Sequence, residues 1–306
     1  MHGITSNQSV LTMPEYYARA VSRLSRVLEY GDIRWLSIWC GVMGVLFLWD
    51  AAFLNAPAFA QLRAALLHTM LGGVLVIVFS GVMGWIAGVG RHFLGEIRFR
   101  ALYTLLDFLL NLVRSVPQII GILVGYIILT RFVQSEALVD PTLQIVWTSF
   151  VISVFVFLEF ADLIQERISY YTKLDFVNAM LVCGIAEGRI INREILWKNS
   201  ISHIIHKLIS VFGIAVFLQC SIDFIISVGL SRDVSQGNFP VTLGSVLAKL
   251  DSKQDILAIG KTLTDPAYLG DLLIYNLQGI SAAFAIVFTL LCVYHIANGY
   301  VKRYNL

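Results

Sequence analysis

Charge is scarce in this chain: 14% of its 306 residues are Asp, Glu, Lys or Arg, whereas 58% are hydrophobic. With a mean hydropathy of +0.77, that balance excludes an ordinary soluble globular domain and reads as an integral membrane protein. The formal net charge of +2 says little about partners, because in a membrane protein the placement of Lys and Arg matters more than their sum. Cysteine is also sparse. Cys40, Cys183, Cys220 and Cys292 lie far apart with no CxxC or Cys/His cluster, so neither a disulfide framework nor a metal site is expected. No G-x-x-x-x-G-K-[ST] loop, nucleophile elbow or paired-carboxylate site occurs, which leaves no basis for nucleotide hydrolysis or other enzyme chemistry in this chain. No bound cofactor and no nucleic-acid partner are expected.

What the sequence has instead is apolar length. Six blocks, at about 35–54, 63–90, 101–130, 144–166, 203–229 and 271–297, are each near or above the roughly twenty residues that cross a bilayer. An all-α protein of six transmembrane helices follows, with residues 1–34 as a separate lead-in and 35–306 as the membrane domain. The lead-in carries Arg19, Arg23, Arg26 and Arg34 at three- or four-residue intervals among apolar residues. An amphipathic helix on the lipid surface and an ordinary charged approach to the first span fit it equally; a cleavable signal peptide is not expected. Pro117 should interrupt the third block by removing a backbone donor. The pairs Gly84/Gly88 and Gly121/Gly125 read as places of close helix approach.

Basic residues set the orientation. Arg91, Arg98, Arg100, Arg167, Lys173, Arg189, Arg193, Lys198, Lys302 and Arg303 fall in one set of connections with the N-terminal arginines, against a thinner set holding Arg63, Arg131, Arg232, Lys249, Lys253 and Lys261. That bias places both termini and the segment 167–200 in the cytoplasm.

Within that segment, residues 176–199 form the longest polar-punctuated interval of the chain. Phe176, Val177, Met180 and Leu181 fall at helical spacing before Gly184, and Ile190, Ile191 and Ile195 do so after it. The pattern predicts a short helix, a turn and a second short helix. A cytoplasmic helix pair suits a membrane domain that is pushed from outside by a motor. Phe176, Val177, Leu181 and Ile185 are expected to supply an apolar docking face, with Arg189 and Arg193 meeting acidic groups at its rim. The alternative is an amphipathic loop resting on lipid headgroups.

The same residues carry a family resemblance. Phe176, Val177, Asn178, Ala179, Gly184, Arg189, Ile190, Arg193, Ile195, Leu196 and Asn199 resemble the coupling loop of ABC-importer permeases. Gly88, Gly90, Gly95, Arg100, Asp107 and Pro117 upstream, and Gly229, Leu230, Pro240, Gly244, Ser245, Asn298 and Gly299 downstream, are similar to motifs of the dipeptide and oligopeptide permeases, nearest to their second permease subunit. The resemblance implies a type I importer permease fold, working with a second permease subunit, two ATPase subunits that bind ATP and Mg, and an extracytoplasmic substrate-binding protein, in a bacterial inner membrane. It implies peptide cargo. Asn178 and Met180 stand where that family has Glu and Ala, Trp197 and Lys198 where it has proline, and Leu243 where it has tryptophan; its long extracellular excursion after the first span is missing.

Inside the membrane blocks, Asp107, Asn111 and Arg114 share one helix face. Asp107 is expected to pair with Arg114, Arg98 or Arg100, or to face a partner subunit across the pathway, and Asp223 is the second candidate pathway acid. Residues 230–270 are expected to form short helices over the outer mouth. Two other classes remain open: an ion-gradient-driven carrier using Asp107 or Asp223, and a non-transporting structural subunit.

Overall fold

A bilayer leaves backbone N–H and C=O groups no partner but each other, so long apolar blocks become helices. The computed structural model describes residues 30–96, 100–228, 239–248, 257, 260–268, 270 and 277–304. Among these there is no strand. The helices are α1 (Gly31–Phe53), α2 (Ala56–Glu96), α3 (Arg100–Ser115), α4 (Gln118–Gln134), α5 (Pro141–Val156), α6 (Leu158–Tyr171), α7 (Asp175–Val182), α8 (Glu187–Arg189, continuing as a π-helix over Ile190–Asn199), α9 (Ile201–Val228), α10 (Leu243–Leu247) and α11 (Leu277–Tyr304). Residues 1–29 of the lead-in, and Arg98, Gly229 and Leu230, lie outside the described residues.

Among the described residues four helices, α1, α2, α9 and α11, are long and apolar enough to cross a membrane, and counting the bent pairs α3–α4 and α5–α6 as one span each brings the number to six. The second and fourth blocks depart from the sequence reading, and the third follows it. The second block is one helix of 41 residues, roughly 61 Å at 1.5 Å per residue and about twice the hydrocarbon thickness. The third block is interrupted where Pro117 was expected to interrupt it. It turns by 96° at Val116 and Pro117, because the proline has no N–H and the residue before it is held out of the helical region. The fourth block bends by 46° at Phe157, where the Phe160 N–H bonds the Phe157 carbonyl at i→i+3 spacing and tightens the turn.

Small residues decide how these helices meet. Gly84 and Gly88 of α2 lie against Phe157, Phe160, Ala161 and Ile164, and Gly121 and Gly125 of α4 against Phe155 and Val151 of α5; a Cβ at any of the four would overlap those neighbours. Gly299 lets α11 approach the backbone of Gly31 and Asp32 at the start of α1, where Arg303 donates to Asp32 at 3.1 Å. The main apolar core runs from Val76, Ile122 and Ile152 through Ile164 and Ile168 to Val177, Ile190, Ile195 and Leu196. It is continuous from the bundle into the segment between α6 and α9.

Candidate functional site

The segment 175–199 folds as two short helices about Gly184. The Gly184 N–H bonds the Leu181 carbonyl at 2.9 Å and the Ile185 N–H bonds the Met180 carbonyl at 3.1 Å, which together close α7 as a Schellman turn. That turn needs a left-handed residue, and Gly184 has φ +77°; a Cβ there would meet no atom within 4 Å, so backbone conformation alone demands the glycine. Met180 and Ile185, bonded to each other across the turn, both pack on the core.

The second helix is a π-helix over ten residues. Ile190, Ile191, Ile195, Leu196 and Ser200 are buried, a five-residue repeat that the wider i→i+5 turn brings onto one face. The Asn199 side-chain amide donates to the Glu194 carbonyl at 2.7 Å. That five-residue spacing was the signal available in the sequence for a π-helix in place of an α-helix.

Polar side chains then tie the pair to the C-terminal part of α2. Trp85 Nε1 donates to Asn192 Oδ1 at 3.0 Å, and the Asn192 amide donates to the Gly188 carbonyl at 3.0 Å. His92 Nε2 lies 3.0 Å from Glu187 Oε1. The Tyr171 hydroxyl of α6 donates to the Asn199 carbonyl at 3.2 Å. The helix pair is therefore a rigid extension of α2 and α6.

Burial divides the expected docking face. Val177 is 4% exposed, and Phe176 and Ile185 pack beside it against the core; these three fasten α7 from behind and are not its outer face. The reason is positional, since the chain entering from α6 brings Phe176 under Tyr171, ring to ring at 6.1 Å. The exposed stripe is Leu174, Asn178, Leu181 and Val182, with Val182 89% exposed. Ala179, Gly184, Arg189 and Arg193 are also exposed. Leu174 and Val182 are thus the surface residues that the sequence reading missed, although their i, i+4, i+7, i+8 spacing with Asn178 and Leu181 marks one helix face.

Asp107, Asn111 and Arg114 do share a face of α3, and the Asn111 amide donates to Asp107 at 3.2 Å. Their ionic partners are not those expected. Asp107 pairs with Arg91 of α2 at 2.6 Å, and Arg91 also donates to Gln165 of α6 at 2.7 Å. Arg114 pairs with Asp162 of α6 at 2.7 Å. The turn at Pro117 lays α3 across the ends of α2 and α6, which brings their charged groups nearer than the neighbours in sequence.

At the opposite end, Asp223 of α9 is buried. The Thr242 hydroxyl donates to its Oδ2 at 2.6 Å, and the Tyr126 hydroxyl of α4 reaches the same carboxylate. Thr242 also starts α10 with a capping box to Ser245. The Leu243 N–H donates to Thr69 Oγ1 at 3.0 Å, and His68 Nδ1 sits 2.8 Å from the Val241 carbonyl. Gly244 lies so close to the Cys220 backbone that a Cβ would overlap it. The stretch 239–248 of the expected outer cover is consequently sunk between α2, α9 and α11, with Leu243 and Val246 fully buried. A second buried acid, Asp50 of α1, accepts from the Ser281 hydroxyl at 2.6 Å. Phe176, Val177 and Ile185 therefore anchor one end of the molecule, while Asp223 anchors the other. Compared with known proteins, the chain matches no family model and no curated protein.

Proposed function

We propose that this chain is a permease subunit of a bacterial ABC importer, forming half of a pathway for peptides or a related small solute and passing the motion of partner ATPases into the membrane. One observation carries the reading: a compact helix pair, closed at Gly184 and tied from behind to α2 and α6, leaves Leu174, Leu181 and Val182 exposed together with Arg189 and Arg193. Exposed apolar residues beside basic ones suit a groove with an acidic rim on a soluble partner. In this reading ATP and Mg are held by two ATPase subunits, a second permease completes the pathway, and an extracytoplasmic binding protein delivers cargo. The basic end lies in the cytoplasm with both termini. Closure of the ATPase pair moves the helix pair as a lever, and because α2 and α6 are bolted to it, the movement enters the bundle.

The test is a mild-detergent pull-down of the tagged chain from its native membrane followed by an ATPase assay. Wild type should bring down an ATPase, and Val182→Asp, Arg193→Glu and Gly184→Pro should lose or uncouple it. Val182 is so exposed that its replacement should change stability by no more than about 0.5 kcal/mol, which separates docking from folding. Absence of any ATPase with wild type overturns the reading.

Asp50 and Asp223 favour a second reading, a carrier driven by an ion gradient, because buried acids held by hydroxyl groups in a membrane bundle are typical of ion pathways. Such a carrier would transport in vesicles without any ATPase and would stop with Asp223→Asn.

A further inference from the structure

We propose that α3 is an amphipathic helix lying flat in the headgroup layer at the basic end of the molecule, and that its outer face is a lipid-binding surface. Three observations converge on lipid as the occupant. First, α3 turns 96° from α4, and its 16 residues reach roughly 24 Å, short of a roughly 30 Å hydrocarbon layer. Second, its faces are sorted. Leu102, Leu105, Phe108, Leu109 and Leu112 are each about half exposed, whereas Asp107, Asn111 and Arg114 occupy the other side and two of them are ion-paired to α2 and α6. Third, beyond the turn α4 likewise exposes apolar residues, Ile120, Val124 and Ile128, and it is the apolar partner of α3 in the bent pair.

The ion pairs explain why the helix lies flat instead of dipping inward. Asp107 and Arg114 tie the polar side to α2 and α6 while Asn111 and Arg114 stay exposed to water, so the apolar leucine face is the one left for acyl chains, at the shallow depth where such helices rest. Leu106, Leu110 and Val113 fill the angle between the two, packed on Ala87, Phe157 and Ala161. Arg100, exposed at the first residue, adds a positive group at the level of the phosphates. In consequence the two helices that carry the segment 175–199 are strutted against the membrane plane. The inference does not depend on the transport reading.

The experiment uses the full chain with its four cysteines replaced, bearing one fluorescent label at a time in vesicles of neutral and anionic phospholipid. Lipids quenching either near the headgroups or at mid-bilayer report depth. Labels at residues 102, 105, 109 and 112 should be quenched equally, and severalfold more by the shallow quencher than by the deep one; labels at 104 and 111 should be quenched severalfold less. Labels at 120, 124 and 128 of α4 should become progressively deeper and serve as the internal standard of insertion. A steady deepening from 102 to 112 would make α3 part of a span and overturn the proposal. Loss of quenching at all four leucine positions, with the α4 series intact, would mean that protein covers the face and would overturn it equally.

Discussion

The segment about Gly184 and the segment about Thr242 both carry a short helix, but they are exposed to different degrees. The first is fastened on one side by apolar burial through Val177, Ile190, Ile195 and Leu196, with polar ties from Trp85, His92 and Tyr171, and exposes the other side. The second is enclosed, and its fastenings are directed: Thr242 to Asp223, Leu243 N–H to Thr69, Val241 carbonyl to His68. Apolar burial tolerates sliding and restores itself, whereas a hydrogen bond inside a bundle has one good geometry and is costly to leave unmade.

The largest expected effect separates the two fastenings at the apolar one. Ile195→Ala removes a fully buried side chain and should cost about 2–5 kcal/mol, with amide exchange rising across 175–199 and remaining unchanged across 239–248. Thermal unfolding in detergent together with hydrogen exchange checks this; exchange rising equally at both ends would mean that the two regions are one cooperative unit. A smaller effect, about 1–3 kcal/mol, is expected from Thr242→Val, which takes a hydroxyl donor from the buried Asp223. There exchange should rise in 239–248 alone, and a thiol reagent should reach Cys220, buried beneath Gly244, more readily. The smallest is Gly184→Ala. With no atom near the new methyl, the cost is the left-handed backbone alone, about 1 kcal/mol, and a much larger loss would show that the turn is held by contacts and not by its own conformation.

Much of this architecture was legible because helices report their own faces. The apolar blocks, the interruption at Pro117, the turn at Gly184, the close approach at Gly84 and Gly88 and the shared face of Asp107, Asn111 and Arg114 are all local, and each appears in the structure. In the segment 175–199 the two helices and their turn were legible, but which face lies on the core was not. Val177 and Phe176 have the spacing of a helix face, but spacing cannot say whether that face meets the core or a partner. Leu174 and Val182 passed unnoticed for the same reason. The enclosed segment 239–248 was harder still, because Thr242, Leu243 and Gly244 have no periodicity to read; they are placed by Asp223, Thr69 and Cys220.

By itself, then, the sequence determined that this protein is helical and embedded in a membrane, that its third block breaks at Pro117, and which end is basic. These properties depend on hydrophobicity, on proline and glycine backbone chemistry and on residues within a turn or two of each other. Only the tertiary structure decided that α3 lies across the ends of α2 and α6, that Asp107 answers Arg91 and Arg114 answers Asp162, and that the stretch from Val241 sinks into the bundle. Leu243 finds Thr69 across 174 residues of chain. No local preference encodes such a meeting, which exists once close packing at small residues has brought the helices together.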